Sequence, residues 1–118
     1  MYKDHIIGQA GERIASNYLQ SLGYKIIQKN FSCTFGEIDL IAKFKDELII
    51  VEVKTRTSNL YGSPATAITP HKKNNIFKVA QYYLIKNKLE SNFVRIDAIE
   101  VFIDCNNNYK INHLKQIF

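Results

Sequence analysis

EIDLIAKFKDELIIVEVKTR, residues 37–56, reads as two β-strands folded back on each other across a polar break at residues 45–47. Ile, Leu and Val dominate both strands, as they do in strands buried on both faces. Asp39 nevertheless interrupts the first strand, and Glu52 and Lys54 interrupt the second. Ionised groups are costly to bury without partners. The hairpin therefore either pairs these three charges or uses them.

Alternation puts Glu52 and Lys54 on one face of their strand, because they are two residues apart. The face of Asp39 depends on the turn. A two-residue turn at Asp46–Glu47 sets Asp39 opposite Lys54, whereas a turn at Lys45–Asp46 sets it opposite Glu52. Both registers bring the three side chains to one face, within the roughly 5–8 Å reach of direct and diagonal neighbours. A three-residue loop would send Asp39 to the other face unless a bulge corrected it.

Two carboxylates and an ammonium can do two things there. One is a cross-strand ion pair on a solvated face, which is common and weakly stabilising. The other is to hold a hard cation, Mg²⁺ or Mn²⁺, that completes its shell with water and phosphate oxygens. Such an ion lowers the pKa of a bound water for in-line attack on a phosphate. Lys54 would then stabilise the charge gathering in the transition state, or orient the water. The apolar flanks Ile38, Leu40, Ile49 to Val51 and Val53, and the surplus of acids over bases, favour the second use.

Outward from the hairpin, Ile7, Ala10, Ile14, Tyr18 and Leu22 recur at helical spacing, and Gly23 follows as a stop. Glu12 lies at the edge of that stripe, able to look along the core. YKIIQKNF (24–31) reads as a strand and SCTFG (32–36) as a turn. TRTSNLYGSPATAI (55–68) has the composition of a long loop. Thr69 and Pro70 then match an N-cap and first helical position. The helix expected to about Lys86 carries Ile76, Val79, Ala80, Tyr83 and Leu84 on its apolar face. FVRIDAIEVFI (93–103) reads as an interior strand and YKINHLKQIF (109–118) as an edge strand. The order αβββαββ predicts a single α/β domain over residues 1–118, with a central mixed sheet flanked by helices.

The chain has 118 residues, enough for a real core, and 16 Lys plus Arg against 11 Asp plus Glu. The net charge of +5 suits a polyanionic partner, though it also serves solubility. Cys33 and Cys105 lack metal-site spacing and read as free intracellular thiols. No stretch approaches the about 18 apolar residues of a membrane span, so a soluble cytoplasmic protein is expected.

Asp39 followed by Glu52-Val53-Lys54 resembles the D…(D/E)xK signature of restriction-endonuclease-like nucleases. GQAGERIA, GEIDLIA, VEVKTR, YGSPATAI and RIDAIEV, in this order, are similar to the YraN-like family. The resemblance runs from about Gly8 to Val101. It implies an αβββαβ core and a divalent-metal-dependent DNA endonuclease, acting on branched or structured DNA in the manner of Holliday-junction resolvases. Asp39 and Glu52 match the metal-binding acids, with the Val53 carbonyl as a further ligand, Lys54 the catalytic lysine and Glu12 a helical acid beside the metal. Ile85 occupies the tyrosine position of a QxxxY element, which argues against the RecB-type subgroup. Glu37 reads as strand entry or a spare ligand, and Asp97 as a structural group awaiting a basic partner. Arg56, His71, Lys72, Lys73 and Lys78 form the expected DNA-tracking surface, and a homodimer would bring two sites to two strands. The alternatives are a nucleic-acid-binding module that does not cleave and a protein-interaction domain.

Overall fold

A computed structural model describes residues 2–57 and 70–117, with backbone alone for residues 2–5 and Pro70. The YGSPATAI block and the Thr69 cap lie outside the described residues. Helix α1 (Tyr2–Ser21) leads into strands β1 (Lys25–Cys33), β2 (Gly36–Phe44) and β3 (Glu47–Arg56). Helix α2 (Pro70–Lys86) and strands β4 (Phe93–Ile103) and β5 (Tyr109–Leu114) follow. The sheet runs β1-β2-β3-β4-β5. Its hairpins are antiparallel, whereas β3 and β4, separated by α2, pair in parallel.

Each helix covers one face of the sheet. On one, Ala15 and Leu19 of α1 pack with Leu40, Ala42, Ile49, Val51, Val53, Ile99 and Val101. On the other, Ile76, Val79, Ala80 and Tyr83 of α2 pack with Phe31, Ile38, Ile41, Ile50 and Ile96. The α2 face is the one expected from sequence, with Leu84 at its margin. The α1 stripe is rotated from the expected one. Gly11, Ala15, Ser16 and Leu19 are buried, Ile14 and Tyr18 flank them, and Leu22 is 48% exposed. Close approach explains the shift, because a Cβ at Gly11 would collide with the Thr55 side chain. The helix thus lies against β3 along its small residues. It ends as expected at Gly23 (φ 95°), where the Leu22, Gly23 and Tyr24 amides donate to the Leu19 and Gln20 carbonyls.

The hairpin turn falls at Lys45–Asp46, with Phe44 opposite Glu47 and Leu40 opposite Val51. Lys45 adopts the left-handed region (φ 55°), which a tight two-residue turn requires. This is the register that directs Asp39 toward Glu52.

Asp97, fully buried, finds the basic partner expected of it. Arg95 donates to both its oxygens, at 2.9 and 3.0 Å, and also to the Tyr24 hydroxyl at 2.7 Å. His113 Nε2 lies 2.7 Å from Asp97 Oδ2, and the Gln116 amide donates to Oδ1 at 2.9 Å. A proton on His113 Nε2 leaves Nδ1 to accept from the Tyr18 hydroxyl at 3.0 Å. One carboxylate therefore ties β4 to β5, to the chain after it and, through Tyr18, to α1. Burial pushes the Asp97 carboxyl up, but the bonds from His113, Arg95 and the Gln116 amide outweigh it and hold its pKa low. Stability from this group is complete above the ordinary aspartate range and is lost as pH falls through the lowered folded value. Asp97→Asn is expected to cost about 3–5 kcal/mol, because it removes the buried carboxylate that Arg95 and His113 share and leaves Arg95 only the longer contact to Glu47, at 3.7 Å. Denaturant titration at neutral pH reads the loss, and an unchanged midpoint would contradict the assignment.

Candidate active site

The β2–β3 ladder stops at Leu40–Val51, one pair short of Asp39 and Glu52. Beyond that point the Asp39 side chain replaces a strand partner, its Oδ2 accepting the Val53 amide at 2.8 Å. A residue's amide and carbonyl point to the same side of a strand, so the Val53 carbonyl also faces this seam. A side chain that caps an in-plane amide must itself lie in the plane of the sheet. Asp39 is thus drawn off the face that strict alternation would give it.

The core shows how. Leu40 packs on the α1 side, yet Ile38, two residues earlier, packs on the α2 side with Ile41. The flip between them occurs at Asp39. Glu52 and Lys54 continue the α2-side alternation of Ile50, while Val53 remains on the α1 side. The three charges expected on one face still converge, but with Asp39 at the seam rather than on the face.

The electrostatics report their closeness. Burial, and then the charge and hydrogen-bonding contact of Asp39, push the Glu52 carboxyl up to about 8, against opposite pulls from Lys54 and Lys72. Burial and then the Lys72 ammonium lower the Lys54 pKa, while Glu52 and Asp39 pull it back up. Lys72 was expected on the outer DNA-tracking surface. It is exposed in the first turn of α2 and also lies close enough to act on Lys54 and Glu52. Glu12, half-buried as expected of a boundary residue, is raised by burial, then by Asp39 and Glu37, while Asn30 and Lys29 pull it down. A cleft of about 310 Å³ opens between α1 and the end of β3, lined by Gly8, Glu12, Val53, Lys54 and Thr55 among others but by neither Asp39 nor Glu52.

Among the described residues no cluster of three or more His, Cys, Asp or Glu side chains is arranged to hold a metal. The donor set is two carboxylates and a carbonyl. These are all hard oxygens, and two carboxylates beside one another with one raised to about 8 form a site that a cation would relieve. That set fits Mg²⁺ or Mn²⁺, which bind through one or two carboxylates and retain water.

Other candidates stand at different distances from this centre. His71, Lys73 and Lys78 are exposed on α2, and His71 Nε2 lies 3.5 Å from Asn75 Nδ2. Arg56 is half-buried at the end of β3, and its Nε has no hydrogen-bond partner among the described residues. Glu37 is exposed and acts on Glu12 rather than joining the seam. Asn30, which sequence reasoning did not single out, faces the site from β1. The one signal for it was a turn-favouring asparagine inside a strand.

A mixed five-stranded sheet with a helix on each face, and an acid pair followed by a lysine at a strand seam, is a restriction-endonuclease-like α/β fold. A family model described as "Uncharacterised protein family UPF0102" matches residues 11–101, and the chain belongs to that family. A UPF0102 protein of Clostridium botulinum (strain Kyoto / Type A2) is 47% identical over 119 residues, covering 99% of this chain and 97% of its own. A UPF0102 protein of Caldanaerobacter subterraneus subsp. tengcongensis is 44% identical over 114 residues, covering 95% of this chain and 93% of its own.

The raised Glu52 carboxyl has a measurable consequence for stability. In the metal-free protein its favourable protonated state is fully present below the ordinary glutamate range and is lost as pH rises through about 8. Thermal melting in EDTA should fall between pH 5 and pH 9. Glu52→Gln should flatten that fall and melt higher than the wild type at pH 9. Parallel pH profiles for the two proteins would contradict the geometry.

Proposed function

We propose that this protein is a divalent-metal-dependent nuclease that hydrolyses DNA phosphodiester bonds at the β2–β3 seam. The observation that carries the reading is the convergence of Asp39, Glu52 and the Val53 carbonyl where the ladder ends, with Lys54 next along the strand.

Asp39 and Glu52 would hold Mg²⁺ or Mn²⁺, with the Val53 carbonyl facing the same gap. Such an ion would supply Lewis-acid chemistry there, polarising a phosphate oxygen and lowering the pKa of a water. Glu52, protonated at neutral pH without the ion, releases its proton on binding, so metal affinity rises with pH up to about 8. Lys54 and Lys72 bring two ammonium groups to where a phosphate gains negative charge. Glu12 lines the cleft beside Asp39 and supports the ligand shell or the water.

The charge of the surroundings supports a polyanion. The chain carries +5, and α2 begins with His71, Lys72 and Lys73, with no acid in its first turn. Cations at a helix N-terminus oppose its dipole, so their placement serves something other than the helix. Branched or structured DNA is the preferred substrate in this reading, a homodimer would present two such sites, and the cytoplasm is the compartment. Among the described residues no helix is long and apolar enough to cross a membrane.

Linear, flapped and four-way DNA incubated with Mg²⁺ or Mn²⁺ test the reading. Asp39→Asn, which retains an acceptor for the Val53 amide, and Glu52→Gln are each expected to lower cleavage by about 100-fold or more. Binding should weaken steeply with salt, as phosphate contacts do. DNA binding with no metal-dependent cleavage would favour a non-catalytic module. No binding even at low salt would favour a protein-interaction domain.

A further inference from the structure

Asn30 sits inside β1 with φ 53°. Among the described residues it is the one non-glycine within a strand that enters the left-handed region; the others lie in turns, after α2 or after β5. The β1–β2 register runs Lys29–Leu40 and then Phe31–Ile38, with no pairing at Asn30 and Asp39 between them. Both strands change face across that gap. Leu40 belongs to the core under α1, whereas Phe31 and Ile38 belong to the core under α2. Strict alternation would keep Ile38 and Leu40 on one side. A single left-handed residue supplies the missing half-turn.

The side chain of Asn30 has a second task. Its amide acts as a hydrogen-bond donor toward Glu12, opposing the combined effect of burial, Asp39 and Glu37 on that carboxylate. Asparagine meets both demands at once. It tolerates the left-handed region better than most residues, and unlike glycine it carries a donor.

We propose that Asn30 is a positioning residue of this site, turning the β1–β2 hairpin over so that Asp39 enters the β2–β3 seam, and holding the Glu12 carboxylate beside it. The catalytic meaning rests on the nuclease reading, but the geometry does not, and the tests separate the two.

Three Asn30 variants, and one spectroscopic probe read with and without Glu12→Gln, decide the matter. Asn30→Gly keeps the backbone conformation and removes the amide, so its melting temperature should stay close to that of the wild type. Asn30→Ala should melt about 5 °C below Asn30→Gly, because a Cβ is strained in the left-handed region. In cleavage assays Asn30→Gly should lower kcat by about 10-fold or more with KM little changed, the mark of a misplaced group rather than lost binding. Asn30→Asp, which accepts the same backbone but sets an acceptor against Glu12, should lose more. The probe is the Asn30 side-chain amide resonance, which should move when Glu12→Gln removes the carboxylate charge.

Equal melting of the Ala and Gly variants would overturn the backbone role, and an amide resonance indifferent to Glu12→Gln would overturn the side-chain role. If the wild type cleaves and Asn30→Gly cleaves as fast, the positioning role falls while the nuclease reading stands. If no protein cleaves yet the melting and resonance results hold, the nuclease reading falls and Asn30 keeps its structural assignment.

Discussion

The hydrogen bond from the Val53 amide to the Asp39 carboxylate is the point on which the site depends. It ends the β2–β3 ladder with a side chain in place of a backbone partner. A longer ladder would pair Val53 with backbone and leave its carbonyl engaged in the sheet. With Asp39 in that position, the carbonyl faces an open seam and the Glu52 carboxyl is brought beside a second acid. Repulsion and burial then follow from the placement. Polar groups left this way are expensive inside a protein, and their persistence in an otherwise Ile- and Val-rich hairpin points to use rather than packing.

The surrounding fold keeps this strained junction in place. Two helices clamp the sheet from opposite faces, and α1 approaches β3 closely enough that Gly11 has no room for a side chain against Thr55. That contact sets Glu12, one residue on, at the mouth of the cleft. From the other face, the start of α2 brings Lys72 to Lys54. At the far end of the sheet, Asp97 gathers Arg95, His113 and the Gln116 amide, a fully satisfied buried network that fixes β5 and the residues after it. Rigid anchoring there contrasts with the charged seam and with two buried atoms near it, Glu100 Oε2 on β4 and Arg56 Nε on β3, which have no hydrogen-bond partner among the described residues.

Much of this was legible in the sequence. Hydrophobic periodicity and turn residues located all seven elements, and the α2 face followed from spacing alone. The hairpin arithmetic offered two registers that bring Asp39 to the shared face and a three-residue loop that would not, and choosing among them required a left-handed Lys45, which no glycine or asparagine signalled. Period-two reasoning also assumed that a strand keeps its faces, and so it missed the flip at Asn30 and Asp39. The α1 stripe was misplaced because apolar character was weighed above size, whereas close packing against β3 selected the small residues Gly11 and Ala15. The partners of Asp97 and the approach of Lys72 to Lys54 are tertiary contacts between distant segments. A single sequence carries no local trace of them.

The central claim is that the seam holds a divalent cation. A crystal of the wild-type protein soaked in Mn²⁺ and measured at the manganese absorption edge tests it directly. The account predicts an anomalous peak bridging the Asp39 and Glu52 carboxylates, within coordination distance of the Val53 carbonyl, and its disappearance in Glu52→Gln. Manganese bound only elsewhere, with the two carboxylates sharing a proton across an undisturbed seam, would contradict it.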